Sequence, residues 1–172
     1  NRGLLPVNYL GLPLISSKLR KQDCQPLTAR LCRKFEAWTC RFISQAGRAQ
    51  LIKSVVFGMQ NNWTMYLFLP KSIIKRIQSQ MARFLWSGKL TGPCFFKVAW
   101  ESCCLRKNEG GLGFKELLSW NASAILLQAC RIISSTTDAD SLWLKWVHTV
   151  FLKGKAFWSM KVPVHCSWGL RK

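Results

Sequence analysis

Pro70 separates two apolar stripes of helical period, and no other feature of this chain constrains its fold more. Proline carries no amide hydrogen and fixes φ, so a helix cannot run through it. Upstream, Ser44 is placed to cap a long helix reaching about residue 67, with Ile52, Val55, Val56, Met59, Trp63 and Tyr66 on its apolar face. Downstream, Ser72 is placed to cap a second helix that would bury Ile73, Ile74, Ile77, Met81, Phe84 and Leu85. Earlier still, Asp23 reads as the cap of a helix with Leu27, Leu31, Phe35 and Trp38 in one stripe. Three successive amphipathic helices predict a mainly α fold, packed as a bundle.

The flanks are less regular. "VNYLGLPLI", residues 7–15, holds Gly11 and Pro13 and reads as an edge strand or hairpin arm. Residues 88–93 read as a loop and "CFFKVAW" as a short extended piece. "EGGLGF", residues 109–114, lacks the spacing of a nucleotide-binding loop and reads as a tight turn needing positive φ at one or two glycines. An apolar helix over 116–133 follows, expected to be buried; its least charged run, 117–130, carries Ser119, Asn121, Ser123 and Gln128 and is too short to span a bilayer. "SSTTDAD" leads to a last helix, 141–152, with Leu142, Trp143, Trp146, Val147 and Val150 on one side. The sequons at Asn62 and Asn121 fall inside these helices and read as chance matches.

Charge supplies the functional direction. Lys and Arg number 26 against 7 Asp and Glu, a net +19, which resists compaction unless a polyanion screens it. Basic residues are spread along the chain instead of gathering on one amphipathic helix, which favours nucleic acid over a membrane surface. Hydrophobic residues at 49% place the chain among folded proteins, not disordered tails. Arg30, Arg33 and Lys34 lie behind one stripe, and Lys75, Arg76 and Arg83 behind another, so two helices present basic backs. On the long helix Gly47, Ser54 and Gly58 leave one side bare for a helix or a sugar-phosphate backbone, and Lys53 of the same helix is a further candidate contact to nucleic acid. Arg48 projects onto the apolar side of that helix, where it needs a partner or must extend past the helix end. Lys107, beside the glycines, is placed to touch phosphate.

Catalytic chemistry is missing by the same reading. A two-metal polymerase or nuclease needs several converging carboxylates, and the Asp residues are Asp23, Asp138 and Asp140. The eight cysteines form no C-x-x-C pair and are not spaced with His148 or His165 as a zinc site requires, so they read as free, largely buried thiols in a reducing compartment. The expectation is a chain that binds and does not catalyse: no catalytic residue, no metal site, no cofactor of its own, no small-molecule substrate and no membrane. It starts at Asn1 with no Met and no basic-apolar leader, and is expected to be a piece of something longer.

In order along the chain, "LPVNYLGLPLISSKL", "CQPLTARL", "WTCRFISQAGRAQLIKSVV", "FLPKSIIKRI", "FLWSG", "KVAWESCC", "EGGLGFKELLSWNASA", "SLWLKWVH" and "GKAFWSMK" resemble the C-terminal half of the reverse transcriptase of plant LINE-type, non-LTR retrotransposons. The resemblance implies an RNA-directed DNA polymerase as parent, acting in the nucleus with Mg, whose fingers, palm and aromatic-x-Asp-Asp motif lie outside this sequence. It implies that 1–20 is a primer-grip-like hairpin arm around Tyr9, Leu10 and Gly11, and that 21–88 is a helical thumb gripping a template-primer duplex, RNA–DNA hybrid or RNA. Residues 89–115 would be a connector turned by EGGLG, and 116–172 a post-thumb helical segment leading toward a zinc-binding domain. Ala46, Gly47 and Arg48 match the thumb's "AGR" signature. Asn8, Arg106, Leu127 and Cys130 depart from the family pattern, as in a decaying copy. Two other readings fit the same residues: a stand-alone basic helical nucleic-acid-binding or interaction module, and an inert remnant.

Overall fold

A computed structural model describes residues 7–15, 18–39, 41–135, 141–155 and 157–159. The fold is mainly α, with a short N-terminal hairpin. β1 (Val7–Tyr9) pairs antiparallel with β2 (Leu12–Leu14), Tyr9 facing Leu12, through a two-residue turn at Leu10 and Gly11. Both turn residues have positive φ, +50° and +79°, which matches the twist of a tight hairpin and places a strained leucine at its tip.

α1 (Gln25–Thr39) buries Leu27, Leu31 and Phe35, with Trp38 packed at the core's edge, as the stripe predicts. Its start departs from expectation. Asp23 accepts from the Arg20 amide at 2.7 Å and so closes the turn before the helix instead of capping it. α4 (Lys71–Ser87) buries the predicted face and Ala82 as well. Pro70, not Ser72, is its N-cap, because Ser72 already lies within the first turn. Phe35, Trp38 and Phe84 meet in one aromatic cluster with centroids 5.2 to 5.8 Å apart, joining α1 to the C-terminal end of α4.

Between them runs one long helix of three parts: α2 (Gln45–Leu51), a π-helical turn (Ile52–Val56) and α3 (Phe57–Tyr66). Ser44 caps it, its hydroxyl accepting from the Gly47 amide at 3.2 Å. The π turn holds one extra residue, so the buried face shifts by one position after it. Phe57, Gln60, Trp63 and Thr64 are buried, whereas Val55 and Met59 are half-buried and Tyr66 is exposed, contrary to the regular stripe.

The 94–99 segment is irregular instead of extended, and α5 (Trp100–Cys104) starts where its strand was expected to end. The glycine turn does what its composition predicts. Gly110 and Gly113 have φ of +82° and +67°, and at Gly111 a Cβ would lie 2.1 Å from the Leu105 carbonyl oxygen. The turn delivers Phe114 to the core, stacked on Trp100 at 5.1 Å.

α6 (Leu117–Ser134) corrects the sequence reading. Leu117, Asn121 and Ile132 are buried, but Leu118, Leu126, Leu127 and Ile133 are exposed. At 18 residues it is also long and apolar enough to cross a membrane by length and composition alone, although here its first turns pack on α3 and α4. α7 (Leu142–Trp146) continues into a π turn (Val147–Leu152). The expected buried side is again partly outside: Leu142, Trp143, Trp146 and Val150 are exposed, while Val147 and Leu152 join Ile132 in a small second cluster. Asp138, Asp140, Cys40, His165 and Cys166 lie outside the described residues.

Candidate nucleic-acid interface

Because α1 and α4 pack through their apolar stripes, their opposite faces reach solvent. Arg30, Arg33 and Lys34 on α1, and Lys75 and Arg76 on α4, are all exposed, and none has a hydrogen-bonded or ionic partner among the described residues. The helical period that fills the core thus also places five free cations on two neighbouring helices. Lys107 is exposed in the 3-10 turn (Lys107–Glu109) beside the glycines. Tyr9, Leu10 and Gly11 form the exposed hairpin tip.

Three other basic residues are held by the protein itself. Arg48 donates from a guanidinium nitrogen to the Phe84 carbonyl at 3.2 Å, at the end of α4 where Gly88 turns left-handed. This cation sits where the α4 dipole is negative, and adds a second donor to a carbonyl that already accepts from the Gly88 amide at 3.0 Å. The odd charge on the apolar side therefore has its partner. Lys53, in the π turn, donates to the Leu112 carbonyl and lies 5.4 Å from the Phe114 ring centre. Arg83 donates to the Leu90 and Gly92 carbonyls, at 3.4 and 3.0 Å, and fixes the loop after α4. Gly47 is not bare, since a Cβ there would meet Ile43 at 2.8 Å, whereas Gly58 is open.

Arg48→Ala is expected to lower stability by about 1–2 kcal/mol, from the loss of a charge-assisted hydrogen bond at a helix end. Urea unfolding would measure it. A midpoint unchanged from the parent would leave Arg48 without this structural role.

Sequence reasoning missed a buried polar site. Asn121, 1% exposed on α6, donates to the Thr64 and Leu67 carbonyls at 2.8 and 2.9 Å and accepts from the Leu69 amide at 2.9 Å. It satisfies the chain where α3 ends and α4 is about to begin. The sequon at this position is thus a buried clamp. Glu116 caps the same helix, accepting from the Leu118 and Ser119 amides at 3.0 and 2.7 Å, and from Gln78 on α4. Partial burial alone would raise its carboxyl, but the hydrogen bonds from Ser119, Leu118 and Gln78 outweigh it and hold the group below the ordinary glutamate range.

Among the described residues, no three His, Cys, Asp or Glu side chains converge as a metal site would require. Burial pushes the Cys24 thiol up to about 11, helped by Asp23, and the Cys104 thiol up to about 12, helped by Glu116, so both are protonated and unreactive at neutral pH.

Comparison with known proteins gives two relatives. The chain is 27% identical over 132 residues to an Arabidopsis thaliana protein described as a "putative ribonuclease H protein", a match covering 77% of this chain and 21% of that one. It is 36% identical over 66 residues to an "uncharacterized mitochondrial protein" of the same plant, covering 38% of this chain and 43% of that one. No family model matches the chain, and no solved structure matches it. What the chain is similar to, then, is about a fifth of one longer plant protein and under half of another.

Proposed function

We propose that this chain is a non-catalytic, duplex-gripping part of a plant LINE-type retroelement polymerase. Its helices over 21–88 act as a thumb, holding an RNA–DNA hybrid or RNA duplex in a sequence-tolerant way. The observation that carries this reading is the set of five unpartnered cations on the packed pair α1 and α4: Arg30, Arg33, Lys34, Lys75 and Arg76. Two basic helix backs side by side suit a phosphate backbone, and the net charge of +19 suits a polyanion. Arg48 and Arg83 hold the end of α4 and the loop after it, Lys53 holds the connector at Leu112, and Gly47 leaves room for the Ile43 side chain at the start of α2. Lys107 adds a cation beside the connector, while Tyr9, Leu10 and Gly11 supply the primer-grip-like tip. The two plant relatives support a retroelement origin. Catalysis, Mg, fingers, palm and a zinc-binding domain belong to the proposed parent, which would act in the nucleus.

A labelled RNA–DNA hybrid, titrated beside single strands and duplex DNA across a salt series, tests this. The expected result is preference for the hybrid, with a salt slope equivalent to about five phosphate contacts. Weak binding without preference would remove the reading. The exposed apolar residues of α6 and α7 favour a second one, an inert remnant whose former contact surface now meets solvent, and insolubility of the isolated chain would support it.

A further inference from the structure

An open cavity of about 340 Å³ lies between the segment after the hairpin and the start of α4, lined by Lys18, Leu19, Arg20, Lys21 and Pro70. We propose that this cavity binds a phosphate group, and that in the duplex-gripping reading, on which this rests, the phosphate belongs to one sugar-phosphate unit of the held strand.

Composition of the walls carries the inference. Three of the five lining residues are cations, and none is acidic. The nearby carboxylate, Asp23, already accepts from the Arg20 amide at 2.7 Å, so it offsets part of the charge without filling the cavity. The Arg20 and Lys21 side chains are exposed and meet no acid among the described residues. Leu19 is 5% exposed and forms an apolar floor, which suits a sugar better than water. Pro70 is the N-cap of α4, a 17-residue helix whose first turn holds no acidic residue and no capping side chain, so the positive end of its dipole adds to the same region. The volume lies at the low end for ligand sites, enough for one nucleotide unit and too small for a base pair. Arg20 can clasp two phosphate oxygens at once, while Lys18 and Lys21 act as point charges.

The arrangement differs from the basic backs of α1 and α4. Those are convex faces that follow many phosphates, whereas the cavity would fix one and so set the strand's register.

The test uses the whole chain and the variant R20Q/K21Q, whose substitutions are on the surface and whose folding is checked by circular dichroism. Hybrids carrying a single uncharged methylphosphonate linkage, moved stepwise along one strand, are titrated against both proteins. The expected result is one position at which the parent loses about tenfold in affinity and the variant loses nothing further, with a salt slope about one unit shallower for the variant. Equal profiles and equal slopes would overturn the proposal while leaving the duplex reading intact. Should the parent fail to bind any hybrid, the duplex reading falls, and inorganic phosphate is titrated while backbone amide resonances of residues 18–21 are followed. Saturable shifts, absent in the variant, would keep the cavity as a site for free phosphate; their absence would overturn that too.

Discussion

Replacing Asn121 by alanine is expected to remove about 3–5 kcal/mol of stability, a large share of what a single domain possesses. The side chain is fully buried and makes three hydrogen bonds to backbone, so its loss strands the Thr64 and Leu67 carbonyls and the Leu69 amide together. Each buried group left without a partner costs roughly 1–3 kcal/mol, and the small void adds to this. Leucine would fill the void and still leave all three groups unpaired, so N121L should fare no better. N121D separates the causes. A buried carboxylate facing two carbonyls has its pKa raised, so the folded state binds a proton that the unfolded state has released at neutral pH. Stability of N121D should accordingly rise as pH falls toward the ordinary aspartate range, because the protonated acid can again donate to one carbonyl. Urea unfolding at several pH values reads all three variants. An alanine variant within 1 kcal/mol of the parent, on that order of measurement, would mean the clamp is not formed.

Gly111→Ala is the second large effect, with an expected loss of about 3 kcal/mol or more, because the added methyl group meets backbone instead of a movable side chain. A Cβ at this position would stand 2.1 Å from the Leu105 oxygen and 2.5 Å from its carbon. Relief requires the turn to open, and the turn carries two dependents: the Leu112 carbonyl that receives Lys53, and Phe114 with its stack on Trp100. Tryptophan fluorescence should therefore change along with the unfolding midpoint. Gly92→Ala is the control, since Gly92 has φ +88° and nothing within 4 Å of a Cβ. It should cost only the left-handed backbone strain, about 1–2 kcal/mol. Equal losses at both glycines would show that close approach is not what Gly111 serves.

The sequence made some of this legible and hid the rest for physical reasons. α1 and α4 could be read because an uninterrupted 3.6-residue period ties burial to spacing, and their basic backs follow from the same count. The helix between them was readable as a helix but only in part of its buried face: Ile52, Val56 and Trp63 are buried as expected, whereas Phe57, Gln60 and Thr64 were missed. A π turn changes the phase, and nothing in "IKSVV" announces one. α6 was read as buried because apolar composition says what a residue prefers, not what stands beside it. Asn121 looked like a chance sequon, since hydrogen bonds to residues 52 to 57 positions away leave no local trace. Arg48 did leave one, as a cation on the wrong side of a helix, yet its partner was a carbonyl 36 residues later. The cavity near Pro70 depends on two segments about 50 residues apart and had no signature in either.

Arg48 and Asn121 together bear on how the bundle opens. Arg48 holds the last turn of α4, and Asn121 holds Leu69, one residue before Pro70 where that helix begins. Helix ends ordinarily fray within the native state and let their amides exchange with solvent by small local openings. With both ends pinned by side chains from other helices, α4 loses that route. Its amides are expected to exchange as one cooperative unit with those of α2 and α6, and hydrogen exchange should find the slowest protons among the described residues in the helix that carries Lys75 and Arg76.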